Sequence, residues 1–147
     1  MKHSLENAVP FLLARTGISM GQAFTKQLIP FGITLIEWRV CVTLYEAKSS
    51  TLSEVAQTCS NDPSTLSRTV NGLIQKGFIK RVQSKLDRRS YVLNLSPKGR
   101  KLTESIIPLA QNYESIALAN FTSTEANELR VLLKRVYENM RLSLLSH

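Results

Sequence analysis

The sequence has little of what catalysis usually requires. Of its 147 residues only two are histidine, His3 and His147, one at each extreme, where chain order is weakest. It has no phosphate-cradling glycine-rich loop, no His-Glu-x-x-His pair and no cluster with metal-ligand spacing. These absences argue against an enzyme and leave no cofactor or metal to expect. There are two cysteines, Cys41 and Cys59, and they form no Cys-x-x-Cys pair. That excludes a disulfide framework and fits a reducing cytoplasm. No run approaches the roughly 18 apolar residues of a membrane span. The early run Val9-Pro10-Phe11-Leu12-Leu13-Ala14 is interrupted by proline and stopped by Arg15, too short for a signal peptide. There are no repeats, low-complexity tracts or long linkers, so a single domain over 1–147 is expected.

Acid is scarce in one place. The formal net charge is +8, and it is unevenly spread. Between Arg68 and Lys101 lie ten Lys and Arg and one acid, Asp87; the rest of the chain carries nine basic and ten acidic residues. The whole excess of positive charge thus falls in 34 residues. A solvated basic face would explain some of this. A local block is better explained by a polyanionic partner, a nucleic acid or a membrane surface.

Helix signals are abundant. Thr34-Leu35-Ile36-Glu37, Thr51-Leu52-Ser53-Glu54 and Thr122-Ser123-Thr124-Glu125 each match the Thr-x-x-Glu capping box. In that box Thr accepts from the amide three residues on, and Glu reaches back to the cap amide. A first helix is expected from about Leu5 to Leu28, with Pro10 shifting its start later. Ile29-Pro30-Phe31-Gly32 breaks it. A second follows Thr34, with Leu35, Trp38, Cys41, Val42 and Tyr45 on one face. A third, short, runs from Leu52 to Cys59. Asp62-Pro63 supplies a cap and a first-turn proline for a fourth, which stops at Gly77. The period then changes, and Phe78–Gln83 and Ser90–Leu95 read as two strands of a hairpin. Ser96-Pro97 restarts a helix that buries Leu102, Ile106, Leu109, Tyr113 and Ile116. The last runs from Ser123 to Leu145, with Leu129, Leu133, Val136, Met140 and Leu144 in a stripe. The fold class is therefore mainly α, a winged helix-turn-helix with a small antiparallel β-hairpin as the wing.

Two stretches carry the function. In the fourth helix Leu66, Val70, Leu73 and Ile74 make one buried face. The opposite surface offers Ser64, Thr65, Ser67 and Arg68. Short hydroxyl side chains let a helix enter a major groove and contact phosphates or base edges, and Arg68 suits guanine or phosphate. The second stretch is the hairpin tip, with Lys85, Asp87, Arg88 and Arg89. A narrow minor groove concentrates negative potential and attracts an inserted arginine. Asp87 is no phosphate ligand. Two residues before Arg89, it is placed to accept from that guanidinium and fix its direction; the plain alternative is an exposed ion pair worth about 0–1 kcal/mol. Arg88 and Lys85 are expected on the DNA backbone.

At these residues the sequence resembles the MarR family of transcriptional regulators. The resemblance is carried by Gly32-Ile33-Thr34 with Glu37-Trp38, by Ser64-Thr65 with Ser67-Arg68, and by Lys76-Gly77-Phe78-Ile79. It is carried most specifically by Asp87-Arg88-Arg89 followed by Leu95-Ser96-Pro97-Lys98-Gly99. It implies a winged-helix DNA-binding region over 33–96. It implies a homodimer whose dimerisation region is 1–32 and 97–147, with the N- and C-terminal helices intertwined. The implied function is a ligand-responsive repressor that binds double-stranded DNA at a palindromic operator, the fourth helix in the major groove and Arg89 in the minor groove. It further implies a small aromatic or phenolic effector, for which Arg15, Trp38 and Tyr113 are the candidate contacts. One feature departs from the peroxide-sensing members: they carry a reactive cysteine near the start of the first helix, and this chain has none there. Cys41 and Cys59 fall on apolar helix faces, as structural cysteines do. Two other readings stay open, a winged-helix protein-interaction module and a non-specific architectural DNA binder.

Overall fold

Three Thr-x-x-Glu boxes set three helix starts. The computed structural model describes residues 4–146, so His3 and His147 lie outside it. Thr34, Thr51 and Thr122 each accept from the amide three residues on, and Glu37, Glu54 and Glu125 each close the box on the cap amide. The elements are α1 (Val9–Leu28), α2 (Leu35–Ala47), α3 (Leu52–Cys59), α4 (Pro63–Gln75), β1 (Ile79–Gln83), β2 (Tyr91–Leu95), α5 (Pro97–Ala117) and α6 (Ser123–Leu145). A 3-10 turn at Leu5–Asn7 precedes α1, and Pro10 sits in the first turn of α1, where its missing N–H costs nothing. A second 3-10 turn, Ile29–Phe31, ends on Gly32 with φ +67°, and there the chain breaks into α2. No single helix among the described residues is long and apolar enough to cross a membrane.

The chain divides into two compact units, 1–111 and 112–147. In the first, α2, α3 and α4 enclose a core of Val40, Cys41, Leu44, Val55, Ala56, Leu66, Val70 and Leu73, which Ile79 and Leu93 extend into the hairpin. The buried arc of α2 is not the one its spacing suggests. Trp38 and Cys41 are buried as expected, but Val40 and Leu44 join them while Leu35, Val42 and Tyr45 are only half-buried. The reason is that α2 touches α3, α4 and β2 at once, so its apolar surface is wider than one stripe. β1 and β2 pair antiparallel from Ile79 opposite Leu95 to Gln83 opposite Tyr91. Ser50 adds a single bridge to Leu93 on the other edge of β2, with bonds of 3.2 and 2.7 Å. Burial pushes the Cys41 thiol up to about 12, helped by the nearby Glu37 charge. Cys41 is thus a thiol and not a thiolate at neutral pH.

Glu37 does more than close its box. Its carboxylate accepts from Lys76 Nζ at 2.8 and 2.9 Å, and the same ammonium donates to the Gly32 carbonyl at 3.1 Å. One acid thus ties the start of α2 to the residue capping the end of α4. The Glu37 side chain is 10% exposed and the Lys76 side chain 40%. Glu37→Ala should cost about 2–3 kcal/mol in chemical denaturation, because it removes a cap and a nearly buried partner. Lys76→Met should cost at least as much, because it leaves the nearly buried Glu37 carboxylate without its cation.

In the second unit, Asn120 turns the chain at φ +68°. Arg130 Nη2 then donates to Glu114 Oε1 at 2.9 Å, joining α6 to the end of α5. Ile116, expected inward, is exposed, and no residue of α6 is buried. Leu129 and Val136 are half-buried, while Leu133, Met140 and Leu144 are 41%, 58% and 78% exposed. The apolar stripe is present, but three of its five residues are exposed.

Candidate nucleic-acid interface

The turn between α3 and α4 is built on local chemistry. Ser60 takes the left-handed conformation (φ +52°), and its amide donates back to the end of α3. Asp62 then caps α4. Its Oδ1 accepts from the Thr65 amide at 2.9 Å and from Ser64 Oγ at 2.6 Å. These bonds hold the Asp62 carboxyl well below the usual carboxylate range, the Ser64 hydroxyl contributing most. A carboxyl lowered on folding stabilises the fold above its unfolded value of about 4, and that contribution is lost as the pH falls through and below it. Thermal melts between pH 7 and pH 3 should therefore fall more steeply for the parent chain than for Asp62→Asn, which caps without titrating.

Along α4, Leu66, Val70 and Leu73 are buried, and Ile74 is half-buried. Ser64 and Arg68 are exposed, and Thr65 and Ser67 half-exposed, on the first two turns. The Ser64 hydroxyl proton points to Asp62, so Ser64 presents its lone pairs outward and serves α4 first as part of the cap. The spacing of the sequence places these four residues, but it gives no sign that Ser64 is already engaged.

The hairpin is tied to α4. Arg81 Nη2 on β1 donates to Asn71 Oδ1 on α4 at 3.2 Å. This pair escaped the sequence reading, which carries no signal for contacts between different elements. Beyond Gln83 the tip is closed by Ser84 N–H donating to the Ser90 carbonyl at 2.9 Å. Lys85, Leu86, Asp87, Arg88 and Arg89 are all exposed. Asp87 does reach Arg89, but by another route than expected. Its Oδ1 accepts the Arg89 backbone amide at 2.9 Å, and the Ser90 amide and hydroxyl both donate to the Asp87 carbonyl at 3.1 Å. Among the described residues no ion pair joins Asp87 to the Arg89 guanidinium. Asp87 therefore shapes the loop that carries Arg89 and leaves that guanidinium to reach outward. A short acid two residues before its acceptor amide makes this local turn more readily than it bridges a long side chain.

After β2 the chain returns close to the wing's base. Ser96 N–H donates to the Phe78 carbonyl at 2.9 Å, and Ser96 Oγ donates to the Gly77 carbonyl at 2.6 Å while accepting the Gly99 amide at 3.0 Å. Lys98 Nζ donates to the Lys76 carbonyl at 3.0 Å and sits 4.9 Å from the Phe78 ring centroid. Leu-Ser-Pro-Lys-Gly is thus a clasp between the end of α4 and the start of α5, and it fixes where the hairpin leaves the body.

The candidate effector residues have different surroundings. The Arg15 guanidinium lies 5.8 Å from the Phe11 ring centroid on exposed α1. Trp38 is buried, 6.0 Å from Phe24. Tyr113 is half-buried in the second unit. Among the described residues no cluster of three His, Cys, Asp or Glu has metal-site geometry.

Comparison with known proteins agrees with this architecture. A MarR-family sequence model matches residues 33–91, from the residue before the α2 cap to the first residue of β2. The organic hydroperoxide resistance transcriptional regulator of Bacillus subtilis is 24% identical over 136 residues, 92% of this chain and 91% of that protein. The multiple antibiotic resistance protein MarR of Escherichia coli is 28% identical over 110 residues, 74% of this chain and 76% of that protein. The crystal structure of a cysteine-to-serine mutant of E. coli MarR complexed with operator DNA superposes with a TM-score of 0.77, at 24% identity over 87% of this chain and 94% of that one. Bordetella bronchiseptica BpsR, described with regulation of its DNA binding by 6-hydroxynicotinic acid, superposes with a TM-score of 0.84, at 20% identity over 93% and 98%. Sequence match, capped helix-turn-helix and clasped hairpin lead to one conclusion: residues 33–91 are a MarR-family winged-helix region.

Proposed function

We propose that this protein is a sequence-specific DNA-binding regulator, working in the cytoplasm as a homodimer on a palindromic operator, and that it represses until a small aromatic acid releases it. The observation that carries the reading is the coincidence of shape and charge. The segment holding ten of the 19 Lys and Arg is the one that forms the second half of α4, the hairpin and the start of α5. Ser64, Thr65, Ser67 and Arg68 on α4 would meet base edges and phosphates in a major groove. Arg89 would enter the flanking minor groove, with Arg88 and Lys85 on the backbone. The operator complex solved for E. coli MarR supports the DNA partner, and the BpsR description supports control by an aromatic acid. Arg15 offers such an acid an exposed cation; Arg15→Ala should then weaken release without changing DNA affinity in the absence of acid.

Selection of bound duplexes from a random pool tests the reading directly. Recovery of a two-fold symmetric sequence with half-sites about one helical turn apart is expected. An unenriched pool would instead mark an architectural binder. Dimerisation has its own test. The uncovered stripe on α6 asks for a second copy, so Leu133→Glu should sediment as monomer and lose operator binding. A parent chain that is monomeric at micromolar concentration would overturn the dimer.

A further inference from the structure

Leu86 stands out at the wing tip. It is 100% exposed, more than any other large apolar side chain described. Its neighbours are Lys85 on one side and Asp87, Arg88 and Arg89 on the other. Nor is it on a frayed strand: its amide donates to Ser84 Oγ at 3.2 Å, and the tip is closed by the Ser84–Ser90 bond. A fully exposed leucine on a held loop gains nothing within its own chain. Burying such a side chain is favourable wherever an apolar surface is offered. The partner that suits the charges around it is polyanionic, and the apolar surface of a nucleic acid groove is its sugar walls. Minor-groove binders bring leucine and other apolar side chains into that groove beside arginine.

Resting on the proposed DNA-binding function, we infer that Leu86 is a DNA contact, packing against the deoxyribose edges of the minor groove that Arg89 enters. Arg89 supplies the attraction to the groove's potential and Leu86 displaces water from its wall. The pairing favours A·T steps, because a guanine amino group projects into the minor groove where such a side chain must fit. The role differs from that of the surrounding charges, and a change of charge sign separates the two.

The experiment uses the full-length chain and the duplex it selects from a random pool, at one fixed salt concentration. Leu86→Met keeps apolar bulk and should bind within about twofold of the parent. Leu86→Ala should bind about five- to tenfold more weakly, as truncation of a buried aliphatic side chain implies. Leu86→Lys is decisive. It adds a positive charge to a basic tip, so phosphate attraction alone predicts tighter binding; a sugar contact predicts weaker binding than the parent. Thermal melting of all three should match the parent, because the Leu86 side chain is fully exposed. Selective binding by the parent with Leu86→Lys tighter and Leu86→Ala unchanged overturns this inference alone. A parent chain with no duplex preference overturns it together with the proposed function.

Discussion

Replacing Gly99 by alanine is expected to destabilise the protein by more than about 3 kcal/mol, enough to leave much of it unfolded. The residue lies in the first turn of α5, where alanine is ordinarily the better helix former. Here it cannot be accommodated. A Cβ at Gly99 would stand 2.0 Å from the Phe78 carbonyl oxygen and 2.8 Å from its carbon. Those are backbone atoms, so no rotamer change relieves the clash. Moving α5 away would break the Ser96–Phe78 bond and loosen the Ser96 Oγ contacts to Gly77 and Gly99. Gly17, on α1, is the internal control, because a Cβ there meets nothing within 4 Å. Gly17→Ala should stabilise by about 0.5–1 kcal/mol through chain entropy alone. Urea titrations of the two variants should move in opposite directions. If Gly99→Ala proves neutral or stabilising, the clasp between α4 and α5 is not as tight as its geometry indicates.

That contrast marks where the sequence is readable. Gly99 and Gly17 are both helical glycines; Ser96-Pro97 marks Gly99 as lying in a first turn, but neither neighbourhood says whether a Cβ would fit. What differs is Phe78, 21 positions from Gly99. The three Thr-x-x-Glu boxes and the Asp62-Pro63 cap were legible because donor, acceptor and hydrophobic run are all local. Gly32 and Gly77 were legible for the same reason, since each ends a helix at positive φ. By contrast Glu37 reads as a capping residue and gives no hint of Lys76, 39 positions on. The Ser50–Leu93 bridge is a single residue pair and has no period to detect. The α6 stripe shows its apolar face plainly, but periodicity alone does not say what covers it.

The candidate interface divides in the same way. Which residues sit on the outer face of α4 and at the wing tip followed from spacing. Which atoms they use did not, because one short side chain can reach several donors within three residues. Asp87 is the instructive case: its pairing with Arg89 was legible, but its choice of the amide over the guanidinium was not.

Arg89→Ala should lose about 1–3 kcal/mol of operator affinity, roughly five- to 150-fold, and flatten the preference for A·T-rich flanks. Arg89 is long, always charged, and carried at a narrow tip whose backbone is fixed by Asp87. Lys85→Ala should weaken binding to all duplexes alike and lower the salt slope by about one. The two Asp87 substitutions then test how the tip is built. Asp87→Asn keeps an oxygen that can accept the Arg89 amide while removing a negative charge from a basic loop. It should bind as tightly as the parent or more so. Asp87→Ala also removes the charge, but it frees the loop, and an arginine on a mobile loop loses more entropy on entering a groove. It should therefore bind more weakly than Asp87→Asn on the same operator at the same salt. Equal affinities for the two, at or above the parent's, would mean that the turn at Asp87 does not position Arg89. Weakening by Asp87→Asn as large as that by Asp87→Ala would mean that the carboxylate's charge, and not its hydrogen bond, is what the wing needs.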